Sequence, residues 1–232
     1  MTESIVSLQN VSRFFHQGQE TIRAVNDVSL EIHRGDFAVV CGPSGSGKTT
    51  MLNMIGALDD PTEGTVSIDG RDLSDMSHSE KSSFRRDRLG FVFQAYNLIP
   101  VLTAYENAEF ILTLQGMPKA ERREKVMELL DRVGLKGLEN RRPDEMSGGQ
   151  QQRIAIVRAI VTEPAIVLAD EPTANVDSQT AAQILDLMET LNREQGATFL
   201  FSSHDRKVID RAKRVIRMRD GRIEDDQIVG TD

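Results

Sequence analysis

Between Gly42 and Thr49 the chain reads GPSGSGKT, the spacing G-x-x-x-x-G-K-[ST], and residues of these types in this order suit one task, holding phosphate. Gly42, Gly45 and Gly47 lack a Cβ, so backbone N–H groups can curl around a β-phosphate. Lys48 is a point charge long enough to reach β- and γ-oxygens, and Thr49 offers a hydroxyl to Mg2+. Pro43, Ser44, Ser46 and Thr50 complete the candidate contacts along this turn. A second string, AIVLADEP from Ala165 to Pro172, ends an apolar run on two carboxylates. Asp170 is placed to hold Mg2+ through water, and Glu171, one step beyond, can accept a proton from an attacking water. An Asp-Glu pair at a strand end is ordinarily a solvated loop; beside a phosphate cradle it points to nucleotide hydrolysis rather than binding alone. A third string, MSGGQQQRIAIVRAI, opens with Ser147, Gly148, Gly149 and Gln150 and continues with helical character. Its start leaves N–H groups at the positive end of a helix dipole, a second place for an anion, although Ser147 would also serve as a plain N-cap.

Positioning these residues calls for an α/β architecture. SIVSLQNVSRFF, IRAVNDVSLEI and DFAVVCG read as short strands, and the alternation of Val25, Val28, Leu30 and Ile32 predicts an antiparallel edge sheet. A helix is expected from Thr49 to about Leu58, closed by DDPTEG, and TVSIDGRDL reads as a hairpin turning at Asp69-Gly70. Residues 103–160 are helix-rich, with Val126, Leu129, Leu130 and Val133 along one stripe. AIVLAD, TFLFSS and VIRMRDG then alternate with helical segments, the pattern of a parallel sheet, and RIEDDQIVGTD reads as a short acidic tail.

The 232 residues suffice for one large domain or two unequal lobes, and a net charge of −8 confines any polyanion-binding face to a local patch. The single cysteine, Cys41, falls in the apolar run FAVVC, which predicts a core strand position and supports neither a disulfide framework nor a metal cluster. A reducing compartment is therefore the default. The polar start MTESIVSLQNVS has no apolar signal core, and no apolar run approaches the roughly 18 residues that would cross a bilayer.

With the phosphate cradle, the SGG string and the acidic strand in that order, the chain resembles the ATP-binding subunits of ABC transporters over essentially its whole length. The resemblance implies a P-loop NTPase (RecA-like) α/β core with an antiparallel β subdomain and an α-helical signature subdomain. It implies one ATPase domain over 1–232, with 1–94 and 161–232 as core and β subdomain and 95–160 as the helical part. Two cassettes would pair head to tail, so Ser147, Gly148, Gly149 and Gln150 would contact the γ-phosphate of an ATP held by the other subunit. GFVFQAYNLIP looks like the family's Q-loop, with Gln94 touching Mg2+ and the attacking water. NVD resembles the D-loop, with Asp177 at the dimer interface, and His204 in FSSHD resembles the switch histidine near the γ-phosphate. Catalysis would fall to Glu171, His204 and Lys48, and the metal to Thr49, Gln94 and Asp170. Phe15 stands where the family stacks an aromatic on adenine, with Phe14 as the competing ring and a core role as the bland reading of either. Val176 replaces a common leucine, and FSSHD carries small polar residues where the family usually has an apolar or threonine-containing strand end.

The basic run Arg85 to Arg88, ordinarily a solvated face, lies by the same resemblance at the groove that receives a helix of a membrane subunit, with Tyr96, Leu98 and Ile99 as contacts. GALDDPTEGTVSIDG, RLGFVFQ, ADEPTANVD and MRDGRI most resemble the lipoprotein-releasing and macrolide-exporter group. That likeness implies ATP and Mg2+ as cofactors and a homodimer or a pair with a related ATPase subunit. Integral membrane subunits would hold the chain at the cytoplasmic face of the membrane and extrude a lipoprotein or another extracytoplasmic substrate. The alternative is a cell-division-type ATPase that signals mechanically to a membrane partner. No nucleic acid is expected: DNA-repair and chromosome-organising members carry long insertions between P-loop and signature, and translation-associated members usually hold two cassettes.

Overall fold

The computed structural model describes residues 3–18 and 20–229. In chain order, β1 (Ser4–Gln17) and β2 (Glu20–His33) form a hairpin, and β3 (Phe37–Cys41) leads through the P-loop into α1 (Lys48–Ile55). β4 (Glu63–Ile68) and β5 (Arg71–Asp72) form a second hairpin, and α2 (His78–Arg88) runs straight into β6 (Leu89–Val92). Three helices follow: α3 (Ala104–Leu114), α4 (Lys119–Arg132) and, after a 3-10 turn at Pro143–Glu145, α5 (Gly148–Ile160). The chain continues through β7 (Ile166–Asp170), α6 (Ser178–Gln195), β8 (Phe199–Ser202), α7 (Arg206–Ile209), β9 (Arg214–Arg219) and β10 (Arg222–Ile228). The strands form an antiparallel sheet, β2-β1-β4-β5, and a mostly parallel one, β10-β9-β3-β8-β7-β6.

The parallel sheet is covered on both faces, which is why its strands read as unbroken apolar runs. Alternate residues of β3 feed two cores: Phe37, Val39 and Cys41 join one with Phe199, Phe201 and the helices α3 to α6, while Ala38 and Val40 join the other. The second core also takes Val6, Leu8, Val28 and Ile32 of the antiparallel sheet and Met51, Met54 and Ile55 of α1. Phe37 meets Phe199 and Phe201 edge-on at centroid distances of 5.7 and 4.7 Å, which fixes β3 against β8. Cys41 is buried at the end of β3, and burial pushes its thiol pKa up.

The structure departs from the sequence reading in three places. Of the segment read as an acidic tail, Arg222–Ile228 is β10, antiparallel to β9 across a two-residue turn in which Asp220 and Gly221 both take positive φ (49° and 76°), and residues 230–232 lie outside the described residues. Its acids are one side of a ladder of ion pairs, Arg214–Asp226 and Arg217–Asp225 at 2.7 Å and Arg219–Glu224 at 3.3 Å. Helix α1 stops at Ile55, short of Leu58, because Gly56 closes it and the Phe91 ring packs where a Cβ would stand. The basic run forms the last turn of α2, where cations suit the helix dipole, and continues into strand β6. The expected Asp69-Gly70 turn joins β4 and β5, with φ of 51° and 73°.

One buried polar residue organises the helical part. Asn107 is fully buried on α3; its Nδ2 donates to the carbonyls of Ile99, Leu102 and Thr103 at 3.0–3.1 Å, and its Oδ1 accepts from the Ile99 N–H at 2.7 Å. These bonds hold the loop between β6 and α3. The Ile99 and Thr103 carbonyls also accept from the backbone N–H groups of Leu102 and Asn107, so Asn107→Ala strands chiefly the Ile99 N–H and the Leu102 carbonyl. Urea unfolding of that variant should show a stability loss of about 2–3 kcal/mol with little change in m-value.

Candidate functional site: the P-loop cleft and the carboxyl edge of the sheet

Gly47 caps α1 in the left-handed region (φ 101°) and offers no side-chain acceptor. Of the other long helices, α2, α3 and α5 carry reciprocal capping boxes, Asp177 caps α6, and only α4, entered through Pro118, likewise has no side-chain cap. A helix start without a side-chain cap, flanked by Lys48 and Thr49, is suited to an anion. Ser46 Oγ is buried beside it with no hydrogen-bond partner among the described residues, and Lys48 Nζ is tied to the carbonyls of Gly42 and Pro43 at 2.9 Å. Two of the glycines serve the protein's own packing. A Cβ on Gly42 would overlap the Met218 carbonyl of β9, and one on Gly47 the Ala24 carbonyl of β2, so the loop is wedged between these strands. The β9–β10 turn braces it further, Gly221 N donating to the Ser46 carbonyl at 3.1 Å.

Beyond the loop opens a cleft of about 860 Å³, lined by residues 43–50 and by Gln94, Asp170, Glu171 and His204. Its size suits a nucleoside triphosphate. The Thr49 hydroxyl lies 3.3–3.4 Å from both oxygens of Asp170, a pair of hard oxygen donors. Glu171 leaves β7 with φ of 46°, held there by its N–H donating to Ser202 O at 2.9 Å. The residue-long left-handed twist aims its carboxylate at the end of β8. There Oε2 accepts from Ser203 Oγ at 2.9 Å, and Oε1 meets the His204 N–H at 3.2 Å and His204 Nδ1 at 2.5 Å. Ser203 is buried and its hydroxyl also accepts from Asp205 N, so the carboxylate and the histidine loop form one hydrogen-bonded unit.

The cleft lining includes none of Ser147, Gly148, Gly149 or Gln150. Ser147 is exposed at the start of α5; its hydroxyl accepts from Gln150 N at 3.3 Å while Gln150 Oε1 accepts from Ser147 N at 3.0 Å. Asp177, expected in the D-loop, is the N-cap of α6. The Thr180 hydroxyl at 2.6 Å, with backbone N–H donors, holds its carboxyl below the usual carboxylate range. Gln94 joins the D-loop through Asn175, whose Nδ2 donates to Gln94 O at 2.9 Å. Phe15 stands across from Ile22, which lines the cleft, but neither it nor Phe14 is part of that lining. The Arg13 guanidinium covers the Phe15 ring at 4.7 Å, and Arg23 lies 5.5 Å from Phe14.

A separate apolar groove of about 430 Å³ lies between α2, β6, α3 and the end of α5. Of the three residues expected there, only Ile99 lines it, with Leu58, Phe91, Phe110 and Leu114. Leu98 packs against the core, and the Tyr96 hydroxyl turns to the Asn175 carbonyl at 3.0 Å. Sequence reasoning missed Ser203 and Arg158, and it placed Asn175 in the NVD string without foreseeing its bond to Gln94. The polar Ser202-Ser203 end of TFLFSS and the arginine inside IAIVRAI were the available signals.

The sequence pattern of the ABC transporter family matches residues 25–174. An ABC transporter ATP-binding protein of Methanocaldococcus jannaschii, MJ0796, is 45% identical over 224 residues, 95% of each chain. The macrolide export ATP-binding/permease protein MacB of Hyphomonas neptunium is 42% identical over 97% of this chain, which spans 35% of that longer protein. Among solved structures, the dimeric post-hydrolysis state of the ATP-binding cassette MJ0796 bound to ADP and Pi superposes with a TM-score of 0.90 at 44% identity. That match covers 98% of this chain and 100% of the other. The chain belongs to the ABC transporter family as an ATP-binding cassette and is an ATPase.

The Ser203 bond to Glu171 can be read in turnover. Ser203→Ala should lower kcat about tenfold, the loss of one hydrogen bond to a charged group worth roughly 1.5 kcal/mol, with ATP affinity unchanged. Ser203→Thr, which keeps the hydroxyl, should restore the rate in the same steady-state assay.

Proposed function

We propose that two copies of this chain close head to tail over two ATP molecules, each signature start completing the site on the other chain's P-loop. The observation that carries this reading is a separation within the chain. Ser147 is exposed and Gly148 and Gly149 are half-buried at the start of α5, yet none of them lines the chain's own phosphate cleft. The dimeric ADP- and Pi-bound form of the relative supports the same arrangement.

In this mechanism the N–H groups at the start of α1 and Lys48 bind the β- and γ-phosphates, and Ser147 and Gly149 of the second chain cap the γ-phosphate. The hydroxyl of Thr49 and the carboxylate of Asp170, with Gln94 lining the same cleft, fit Mg2+; a bound ion would neutralise phosphate charge there. Glu171 accepts the proton of the attacking water, and Ser203 and His204 fix where its carboxylate points. Positioning and charge stabilisation do most of the work in such an in-line attack.

Closing and reopening of the pair would drive integral membrane subunits at the cytoplasmic face of the membrane. Among the described residues no helix is long and apolar enough to cross one. The groove beside α3 is the docking place this reading requires: Phe110 and Leu114 are exposed there, and Ile99 sits on the loop that continues from Gln94. The likeness to a macrolide exporter supports extrusion as the transport direction.

Mixing two inactive variants tests the shared sites. Ser147→Arg should keep ATP binding and lose hydrolysis, and Glu171→Gln should bind ATP and stall as a closed dimer. Combined, they form heterodimers with one intact site, so turnover should reappear. No recovery on mixing would sink the head-to-tail assignment. The docking groove is tested with Leu114→Asp, which should leave basal ATPase intact and abolish stimulation by the co-purifying membrane subunit.

A further inference from the structure

Tyr96 makes contacts that neither ATP binding nor groove docking requires. Its backbone takes positive φ (59°), as does Asn97 (50°), an unusual pair of left-handed residues without glycine. Helix α5 holds both: Arg158 donates to the Tyr96 carbonyl at 2.8 Å and to the Asn97 carbonyl at 2.6 Å, and burial lowers the pKa of that guanidinium. At its far end the Tyr96 side chain donates its hydroxyl to the Asn175 carbonyl at 3.0 Å. The same oxygen reaches the start of α5, where a Cβ on Gly148 would lie 2.7 Å from it, closer than a Cβ packs. Gly148 and Arg158 are separated along α5 by about 15 Å, at 1.5 Å per residue. Tyr96 therefore lies along the signature helix, pinned by its carbonyl at one end and by its hydroxyl at the other. Asn175 completes the junction by donating to the Gln94 carbonyl.

We propose that Tyr96 is a positioning residue. Its hydroxyl locks the Q-loop, the D-loop and the start of the signature helix into one unit, so the part of this chain that serves its own nucleotide and the part offered to the partner move together. The absence of a side chain at Gly148 is, on this view, space for the tyrosine hydroxyl as well as for phosphate. The proposal rests on the shared-site reading for what the signature start does, and on intrachain geometry alone for the strut.

A double-mutant cycle separates the two. Tyr96→Phe keeps the ring and removes the bond, so kcat should fall about five- to tenfold, the worth of one neutral hydrogen bond that keeps the three segments aligned. The KM for ATP and the unfolding midpoint should not move; a purely structural role would shift the midpoint. Gly148→Ala should cost more by itself, because its Cβ meets the hydroxyl. In the Tyr96→Phe background the same alanine should cost several-fold less, a coupling that contact with the partner's phosphate alone would not produce. A wild-type kcat for Tyr96→Phe, or independent losses in the cycle, would overturn the strut. Tyr96→Phe decides the matter alone should Gly148→Ala fail to fold. Recovery on mixing Ser147→Arg with Glu171→Gln depends on the shared sites and not on the strut, so the two ideas fail separately.

Discussion

Everything at this site depends on three parallel strands ending at one level. Val40 and Asp170 both stand opposite Ser202, and two backbone hydrogen bonds carry the ladder past the strand ends: Ser203 N to Val40 O and Glu171 N to Ser202 O. The P-loop, the paired carboxylates and the histidine loop therefore leave the sheet side by side. Crevices at the carboxyl ends of parallel strands are the usual binding places of open α/β sheets. Here the spacing is set by backbone pairing, which a single side-chain change barely alters. The apolar residues on both faces of β3, β7 and β8 keep those strands in the sheet, so the geometry of the chemistry is a consequence of core packing.

On that edge the loops hold conformations they would not choose alone. Glu171, Tyr96 and Asn97 all sit at positive φ without being glycine; β8 holds the first by a backbone bond, and Arg158 of α5 holds the other two. Backbone strain of this kind persists only where neighbours over-determine it. The P-loop is over-determined in another way, wedged between the carbonyls of Ala24 and Met218 and tied to the β9–β10 turn at Gly221. The antiparallel sheet and the last hairpin are thus walls of the phosphate cleft as well as coverings for a core.

The two helix starts that suit an anion differ in how they are finished. Helix α1 begins at a glycine with no side-chain cap, whereas α5 begins with a complete capping box. The first opens into a cleft lined by Asp170, Glu171 and His204 of its own chain; the second lies outside that lining. Between them run Tyr96, Asn175 and Arg158, so a displacement of α5 is felt at Gln94 without passing through the core. The apolar groove adjoins this same stretch through Ile99, Asn97 and Arg158, so the groove and the loop that carries Gln94 share one wall.

Local spacing determined what could be known before folding. GPSGSGKT, LADEP, the SGG string and FSSHD name their chemistry because phosphate binding, metal ligation and helix starts are short-range events. The parallel sheet was visible for a related reason, since strands buried on both faces must be apolar throughout. Hairpin β9–β10 was missed although Asp220-Gly221 is a turn pair, because its acids read as a tail while their arginine partners lie across the turn. Tertiary structure alone decided that Ser203 and His204 hold Glu171, and that Tyr96 points at Asn175 rather than into the groove. It also decided that Gly42, Gly47 and Gly148 yield space to distant protein atoms. Those contacts join residues many positions apart, and no local periodicity encodes which of them will meet.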